Sequence, residues 1–543
     1  MKISRVRIEN YRSIQSLELQ ANDFNAFIGE NNCGKSNILK AISLVLGETW
    51  PSERSFAEED FHNFDKSKEI VIQIYFDQVI AVKRTVDLEV AGFELRCGTY
   101  KIRTKDKPAG TIWTDYRCID VDGKVPKYPA SPPKPGSGFK GIPWYELKVS
   151  GELREQIPLI FVDVLRDYSD HEPKSRYSVL RRLFKDVHTE FVNPKSTVEM
   201  TVDGRKVKVP RKEAFEAAIR QAYTYLKTDG FTEIESSLAT NTLEQMGIDP
   251  EHNSLSLHFD AYDPQDVYKN IELYVRQLGI TTSARDVGAG LQSAIVIALF
   301  RTYQELRKQG AVFAIEEPEV FLHPQKSRYF ASILRSLADK GNQVFLTTHS
   351  PVFVSIDRPE GVICVRRAEQ SGTATFQAKI EMLAANERQE LRLISEFDSQ
   401  RNELFFAKKV LFVEGNTEKV AVPLILRALG IDVNKEGFSI IECGGKTKIG
   451  LFAKVAKAFG IPHFILADED DPDDSDHRKW NEQLRTVGGS NIAFLVPDFD
   501  KVSGLSGSDS VKVDNAMKKY SSATRDEIPE AIKSALERFV ACT

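Results

Sequence analysis

Apolar positions alternate with polar ones through Ile3, Val6 and Ile8 and again through Leu17 and Leu19, which predicts a hairpin turning at Asn10-Tyr11-Arg12-Ser13. Asn25–Ile28 is a short apolar strand. Ile38–Leu46 is then almost wholly apolar and stops at Gly47, the pattern of a buried helix with a glycine terminator. Ile70–Phe76 alternates as another strand, and Ile157–Val164 reads as a strand returning to the same core. Between them, Asp122–Trp144 is dense in Pro, Gly, Ser and Lys, which predicts a mobile surface loop with no packed core of its own. Asp167–Ser256 has mixed helical periodicity and many charges, as an inserted helical subdomain would. Leu257–Phe259 and Ile271–Arg276 lead back into strand-like sequence, and Lys379–Leu404 reads as a charged helical connector. From Val410 onward strand and helix alternate: Val410–Val413, Glu418–Leu429, Phe438–Glu442, Lys448–Phe459, His463–Ala467, Ile492–Val496. That rhythm predicts a parallel sheet in a compact α/β domain. No internal repeat is evident.

With 543 residues, about three domains are expected. Apolar content of 41% and charged content of 28% suit globular domains with ordinary cores. A net charge of −5 carries no basic signature, so nucleic-acid binding would need local basic patches and bound metal. Six scattered cysteines without a CxxC pair predict reduced thiols and argue against a zinc cluster. The start of the chain lacks the apolar run of a signal peptide, and no stretch approaches the roughly 20 apolar residues of a membrane helix. A soluble, cytoplasmic protein without a membrane partner is expected.

Four segments carry phosphate chemistry. Gly29-Glu30-Asn31-Asn32-Cys33-Gly34-Lys35-Ser36 fits the P-loop pattern, flanked by a strand and an apolar helix. Its backbone N–H groups, through Asn31, Asn32 and Gly34, would wrap the phosphates of ATP. Lys35 would reach the terminal phosphates, and Ser36 would ligate Mg²⁺. Val312-Phe313-Ala314-Ile315-Glu316-Glu317-Pro318-Glu319 delivers acids at a strand's C-terminal end, where open α/β sheets place ligands. Glu316 would hold the Mg²⁺ shell and Glu317 would polarise the attacking water. Val344–Thr348 ends in His349, a candidate sensor of the γ-phosphate. Gly288-Ala289-Gly290-Leu291-Gln292-Ser293 opens an apolar helix, an anion-ready turn in which Gly290 and Gln292 are candidate nucleotide contacts.

A second constellation is acidic. Glu414 follows the apolar run Val410–Val413, and Glu418 lies one helical turn on. Asp468 and Asp470 leave the tip of Phe464–Ala467, and Asp498 and Asp500 follow another apolar strand. Neighbouring tips of a parallel sheet would gather these carboxylates, whose repulsion calls for cations. Oxygen-only ligands favour Mg²⁺ or Mn²⁺, and two such ions would activate water and stabilise the leaving oxygen. Asp471, Asp473, Asp474 and Asp476 read as solvated loop charge.

In chain order the four phosphate segments resemble the Walker A, signature, Walker B with D-loop, and His-switch elements of an ABC-type ATPase head. The signature lacks the usual leading Ser-Gly-Gly, and Glu316-Glu317 stands where Asp-Glu is usual. Both departures look like the overcoming-lysogenisation-defect (OLD) nucleases and related SMC-like heads. That resemblance implies ATP sandwiched between subunits, hence a homodimer or higher homo-oligomer. It also implies a nucleotide contact from Arg12 and a Q-loop-like Asp60. Glu414-Gly415 with Glu418, joined to Asp468-Glu469-Asp470, resembles a Toprim metal site. Lys512 is similar to the lysine that follows the acidic cluster in OLD nucleases and would stabilise the transition state.

The implied fold is α/β, an ABC/SMC-like P-loop ATPase interrupted by a helical insert and followed by a Toprim domain. The expected division is 1–166 and 257–378 for the ATPase, 167–256 for a dimerisation insert, 379–404 for the connector and 405–543 for Toprim. A topoisomerase would need a further large domain with a nucleophilic Tyr, and a primase would bring zinc-binding cysteines. The resemblance implies an ATP-regulated, metal-dependent DNA endonuclease or nickase in phage defence or DNA repair, with an accessory defence protein as a possible partner. An SMC-like DNA clamp, in which the Toprim fold only binds metal and DNA, is the alternative. A transporter ATPase would have no use for the Toprim module.

Overall fold

The structure is a computed structural model that describes residues 1–47, 49–100, 108–130, 143–163, 178–202, 205–246, 268, 270–306, 310–320, 322–368, 372–379, 383–395, 399–471 and 473–542. The chain divides into two units, Met1–Val164 with Lys308–Thr543, and Leu165–Arg307.

In the first unit the N-terminal hairpin follows its alternation. Ile3, Val6 and Ile8 of β1 (Ile3–Tyr11) and Ile14, Leu17 and Leu19 of β2 (Ile14–Gln20) are buried, while Arg7 and Glu18 face solvent. β3 (Phe24–Ile28) runs into the P-loop, and the helix Lys35–Leu46 buries Ile38, Leu39, Ile42 and Val45 against the sheet. β4 (Ile70–Lys83) is longer than its alternation suggested and continues into a meander with β5 (Asp87–Thr99) and β6 (Ile112–Ile119). Inside the Pro/Gly-rich segment, β7 (Lys127–Pro129) pairs with β8 (Trp144–Glu146), so its rims are a small hairpin rather than plain loop. Residues 131–142 lie outside the described residues. β9 (Leu159–Val162) is the expected returning strand.

The second unit holds two antiparallel hairpins, β10 (Thr197–Val202) with β11 (Arg205–Pro210) and β12 (Tyr274–Gln277) with β13 (Ile280–Ser283). Its helices span Val179–Val192, Arg211–Leu226, Asp229–Met246 and Ala289–Leu306. The first of these packs on the second and on the last. Sequence periodicity predicted only helix for 167–256. Strands β10 and β11 do alternate, through Val198, Met200 and Val202 and through Val207 and Val209, but each run is only six residues long and lies between charged helical stretches that set the wider periodicity. The expected strand Leu257–Phe259 lies outside the described residues.

Back in the first unit, β14 (Val312–Glu316), β15 (Gln343–Thr347), β16 (Val362–Ala368) and β17 (Gly372–Gln377) complete an eleven-stranded sheet. Its order is β6-β5-β4-β1-β2-β17-β16-β3-β15-β14-β9. The last five strands, β16 to β9, are mutually parallel. Consequently Ile28, Thr347, Glu316 and Val162 all end on one edge of the sheet, where ligands of such sheets bind. The connector consists of the helix Ala385–Ser395 and a 3₁₀ segment, Ser399–Phe405. Beyond it β18 (Lys409–Val413), β19 (Phe438–Glu442), β20 (His463–Asp468) and β21 (Ile492–Leu495) form a four-stranded, all-parallel sheet in the order β19-β18-β20-β21. The strand–helix rhythm of the sequence is realised there almost residue for residue.

The P-loop is fixed from behind by a chain of polar contacts. Buried Thr373 donates its hydroxyl to the Cys33 carbonyl (2.9 Å) and lies 2.8 Å from the Ser13 hydroxyl, to which Asn37 donates in turn (2.8 Å). Gly34, at φ 110°, passes so close that an added Cβ would sit 2.2 Å from Thr373 Oγ1. Only glycine tolerates both the backbone angle and the approach. Thr373→Val keeps the shape and removes the hydroxyl, so it should cost about 1–2 kcal/mol, read as a lower thermal midpoint. Gly34→Ala should cost more, because strain and overlap add; a midpoint equal to the parent's would contradict this packing.

Candidate functional site

At the parallel edge of the large sheet, Lys35 is buried with its Nζ 2.9 Å from the carbonyls of Gly29 and Glu30. Burial lowers its pKa, while Glu317 and Glu319 oppose that shift. Asn31 and Asn32 are exposed on the loop, Asn32 with φ 63°, and Gly29 approaches the Val365 carbonyl so closely that a Cβ would meet it at 2.1 Å. Glu316, at the end of β14, is 3% exposed. Ser36 hydrogen-bonds its carboxyl, Asp163 lies against it, and desolvation raises its pKa. Its Oε1 is buried with no hydrogen-bond partner among the described residues. An orphaned carboxylate oxygen beside the P-loop hydroxyl is what a Mg²⁺ shell requires, so Ser36 and Glu316 fit that ion and Lys35 fits the phosphates.

Glu317 adopts φ 41° and donates its N–H to the Thr347 carbonyl (2.9 Å). Its Oε1 lies 4.0 Å from His349 Nε2. Burial and the nearby Lys35 lower the His349 pKa, which keeps the ring neutral and able to accept or donate at neutral pH. Sequence reasoning gave Glu319 no task, yet it binds the Thr348 hydroxyl (2.9 Å) and the His349 N–H (2.6 Å), fixing the switch loop. Arg12 and Asp60 meet each other: Arg12 Nε is 2.7 Å from Asp60 Oδ1, and the backbones are also bonded. This pair braces the P-loop helix through Asn37. Gly290 and Gln292 lie in the second unit, where Gln292 Nε2 donates to the carbonyls of Arg285 (2.8 Å) and Val287 (3.2 Å) at the start of the helix.

In the four-stranded sheet, β18 and β20 are neighbours, and their tips bring Glu414 and Asp468 together: Asp468 N–H donates to Glu414 Oε1 at 2.8 Å. Asp468 Oδ1 in turn accepts from Phe499 N–H (2.7 Å). Glu418 is buried, and its charge is felt with those of Glu414 and Asp500. Desolvation first, then like charge, pushes Asp468 up to about 8 and Glu418 up to about 7, and desolvation raises Glu414. Asp500 keeps one buried oxygen, Oδ1, with no hydrogen-bond partner among the described residues, while Lys512 lies 2.7 Å from Oδ2. Asp498 instead caps the helix Phe499–Val502 and pairs with Lys501, so Asp500 is the acid turned to the cluster. Asp474 caps the helix Ser475–Gly488 and so is more than solvated loop charge. All-oxygen donors, an orphaned oxygen and unneutralised buried carboxyls fit a hard divalent cation. Among the described residues no three acids already stand at coordination distance. The sequence reading missed Lys446, buried and 2.7 Å from Asp470 Oδ2. Its signal was Gly444-Gly445-Lys446 between an apolar strand and an apolar-periodic helix.

Comparison with known proteins bears on both sites. An AAA ATPase domain pattern matches residues 1–109 and 166–354, and the pattern described as overcoming lysogenization defect protein-like, TOPRIM domain matches residues 405–470. The OLD nuclease of Thermus scotoductus is 30% identical over 93% of this chain and 92% of its own length. The chain belongs to the OLD nuclease family. It joins an ATPase to a Toprim nuclease domain, in an α/β fold. Old nuclease of Escherichia phage P2 is 25% identical over 87% of this chain and 77% of its own. Endonuclease GajA of Bacillus cereus is 21% identical over 87% and 75%. Among the described residues no helix is long and apolar enough to cross a membrane, and all six cysteines are free and buried.

For this OLD-family chain the raised carboxyl pKa values make a testable link to stability. Asp468 and Glu418 bind protons in the folded chain up to about pH 8 and 7, whereas unfolded they release them near their ordinary values. The folded state thus holds more protons across that window, and metal-free stability falls as pH rises through it. A divalent cation takes the deprotonated form, so Mg²⁺ should raise the thermal midpoint by several degrees near about pH 8.5 and little near about pH 5.5. Equal shifts at both pH values would show that these acids do not hold the ion.

Proposed function

We propose that the chain is an ATP-regulated, divalent-metal-dependent DNA endonuclease or nickase. The observation that carries this reading is the direct bond between Asp468 N–H and Glu414, which sets two carboxylates at adjacent strand tips with Glu418 and Asp500 around them. Glu414, Glu418, Asp468, Asp470 and Asp500 would hold the ions, with Asp498 helping to order the loop. Mg²⁺ or Mn²⁺, when bound, supplies water activation and stabilisation of the leaving oxygen. Lys512 meets the charge that develops on the phosphorus oxygens. In the head, Lys35, Ser36 and the backbone of Asn31, Asn32 and Gly34 bind ATP, Glu316 completes the Mg²⁺ shell and Glu317 orients water. His349 reads the γ-phosphate.

ATP would bring two heads together, with Gly290 and Gln292 of one subunit facing the P-loop of the other, so a homodimer or larger homo-oligomer is the working assembly. The insert within 165–307 mediates that self-association. Its helices Arg211–Leu226 and Asp229–Met246 leave Tyr225, Leu226, Ile234 and Leu238 exposed, which favours a subunit contact. Work against phage or in DNA repair, alone or with an accessory protein, fits such a machine.

Contacts inside the first unit offer a route between the two chemistries. Asn402 donates to the carbonyls of Pro351 and Val354 (3.1 Å each), just past His349, and Arg401 donates to the Glu442 carbonyl (2.9 Å) at the end of β19. Arg366 reaches the carbonyls of Phe459 (3.2 Å) and Gly460 (3.3 Å). A shift of the switch loop therefore has a short polar path to the end of β19 and to the turn before β20.

Plasmid cleavage with Mg²⁺ or Mn²⁺ tests the reading. Lys35→Ala should abolish ATP turnover, and Glu317→Gln should bind ATP but turn it over slowly. Asp468→Ala with Asp470→Ala should lower nicking by several orders of magnitude and leave ATPase activity unchanged. Cleavage retained in that double variant would shift the weight to an ATP-dependent DNA clamp. Asn402→Ala should leave each activity measurable but remove the effect of ATP on cleavage; an unchanged ATP response would exclude this path.

A further inference from the structure

Three lysines stand among the acids of the C-terminal site, and they are not equivalent. Lys501 is 70% exposed and Lys512 is 26% exposed; they meet Asp498 and Asp500 from the solvent side. Lys446 is 6% exposed, with Nζ 2.7 Å from Asp470 Oδ2. The backbone puts it there. Gly444 and Gly445 turn at φ 77° and 112°, Gly445 N–H donates to the Glu414 carbonyl (2.9 Å), and the helix Lys446–Ala458 begins beside Glu414. A buried ammonium is tolerated only where acids neutralise it. Here Asp470 does so directly, and the Glu414 carboxyl feels the same charge.

We infer that Lys446 is a positioning residue that holds one oxygen of Asp470 until a DNA phosphate arrives, so that the site loads its second divalent cation only together with substrate. This rests on the metal-dependent nuclease reading. The charges support stepwise loading. Glu414, Glu418 and Asp468 form no ion pair among the described residues, so no lysine has to be displaced before one divalent cation takes their carboxyls in place of protons. Asp470 is already balanced by Lys446, and Asp500 by Lys512. A second cation at Asp470 would face the Lys446 ammonium at close range, in surroundings that screen poorly. A phosphodiester brings the missing negative charge, becomes the counter-ion of Lys446 and releases Asp470.

The test counts Mn²⁺ on the full-length protein without nucleotide, by equilibrium dialysis with electron paramagnetic resonance. The parent should show one tight site, with the second at least about tenfold weaker, and an uncleavable phosphorothioate duplex should tighten the second. Lys446→Met should show two sites of similar affinity without DNA, and Lys446→Arg should restore the parent pattern. Should Lys446→Met not fold, Asp470→Asn serves: it should keep the first site and lose the second, even with the duplex. Two equally tight sites in the parent without DNA would overturn the inference, as would an unchanged pattern in Lys446→Met or a second site retained in Asp470→Asn. A parent that binds no Mn²⁺ at all would instead overturn the nuclease reading itself.

Discussion

Both candidate sites depend on one constraint: a carboxylate placed at the C-terminal end of a strand with a buried apolar core. β14 is apolar and buried from Val312 to Ile315 before Glu316, β18 from Val410 to Val413 just before Glu414, and β20 from Phe464 to Ala467 before Asp468. The strand's burial carries the charged group out of bulk water, and desolvation then raises all three pKa values. Such a group is unfavourable by itself and becomes favourable when a cation is supplied. The cost of burying these acids is what a divalent cation would offset at each strand tip.

Parallel pairing turns single acids into sites. In the head, β14 lies between β9 and β15, so Asp163, Glu316 and the His349 loop leave the sheet on the same edge as the P-loop after β3. In the Toprim sheet, β18 lies between β19 and β20, which brings Glu414, Asp468 and the Gly444-Gly445-Lys446 turn together. An antiparallel neighbour would send alternate tips to opposite edges and separate these groups. The two sites differ in charge balance. The head has one orphaned carboxylate facing a hydroxyl, suited to an ion that arrives with a nucleotide. The Toprim site has several acids, three of them partnered by lysines, suited to ions whose loading answers to the substrate's charge.

The connector makes one unit of the two sheets. Ser399–Phe405 packs between the 3₁₀ turn after His349 and β19, with Asn402 and Leu404 buried and Phe405 edge-on to Phe459 at 5.2 Å. A connector read as merely charged and helical thus contains the polar and aromatic contacts that join the His349 loop to the Toprim sheet.

The sequence by itself determined the parts that depend on short-range pattern. The P-loop, the strand delivering Glu316 and Glu317, the strand–helix rhythm after Val410, and the acids at strand tips are all local, because periodicity and glycine punctuation express themselves within a few residues. The tertiary structure decided which of these parts meet. Arg12 pairs with Asp60 across 48 positions, Thr373 holds Cys33 across 340, and Lys446 reaches Asp470 across 24. It also separated Asp500, turned to the acids, from Asp498, spent on capping a helix. Those pairings arise from strand order and crossover geometry, which no local window encodes. The β5–β6 meander carries local alternation, through Phe93, Leu95 and Cys97 and through Tyr116 and Cys118, but the sheet alone decides which strands they pair with.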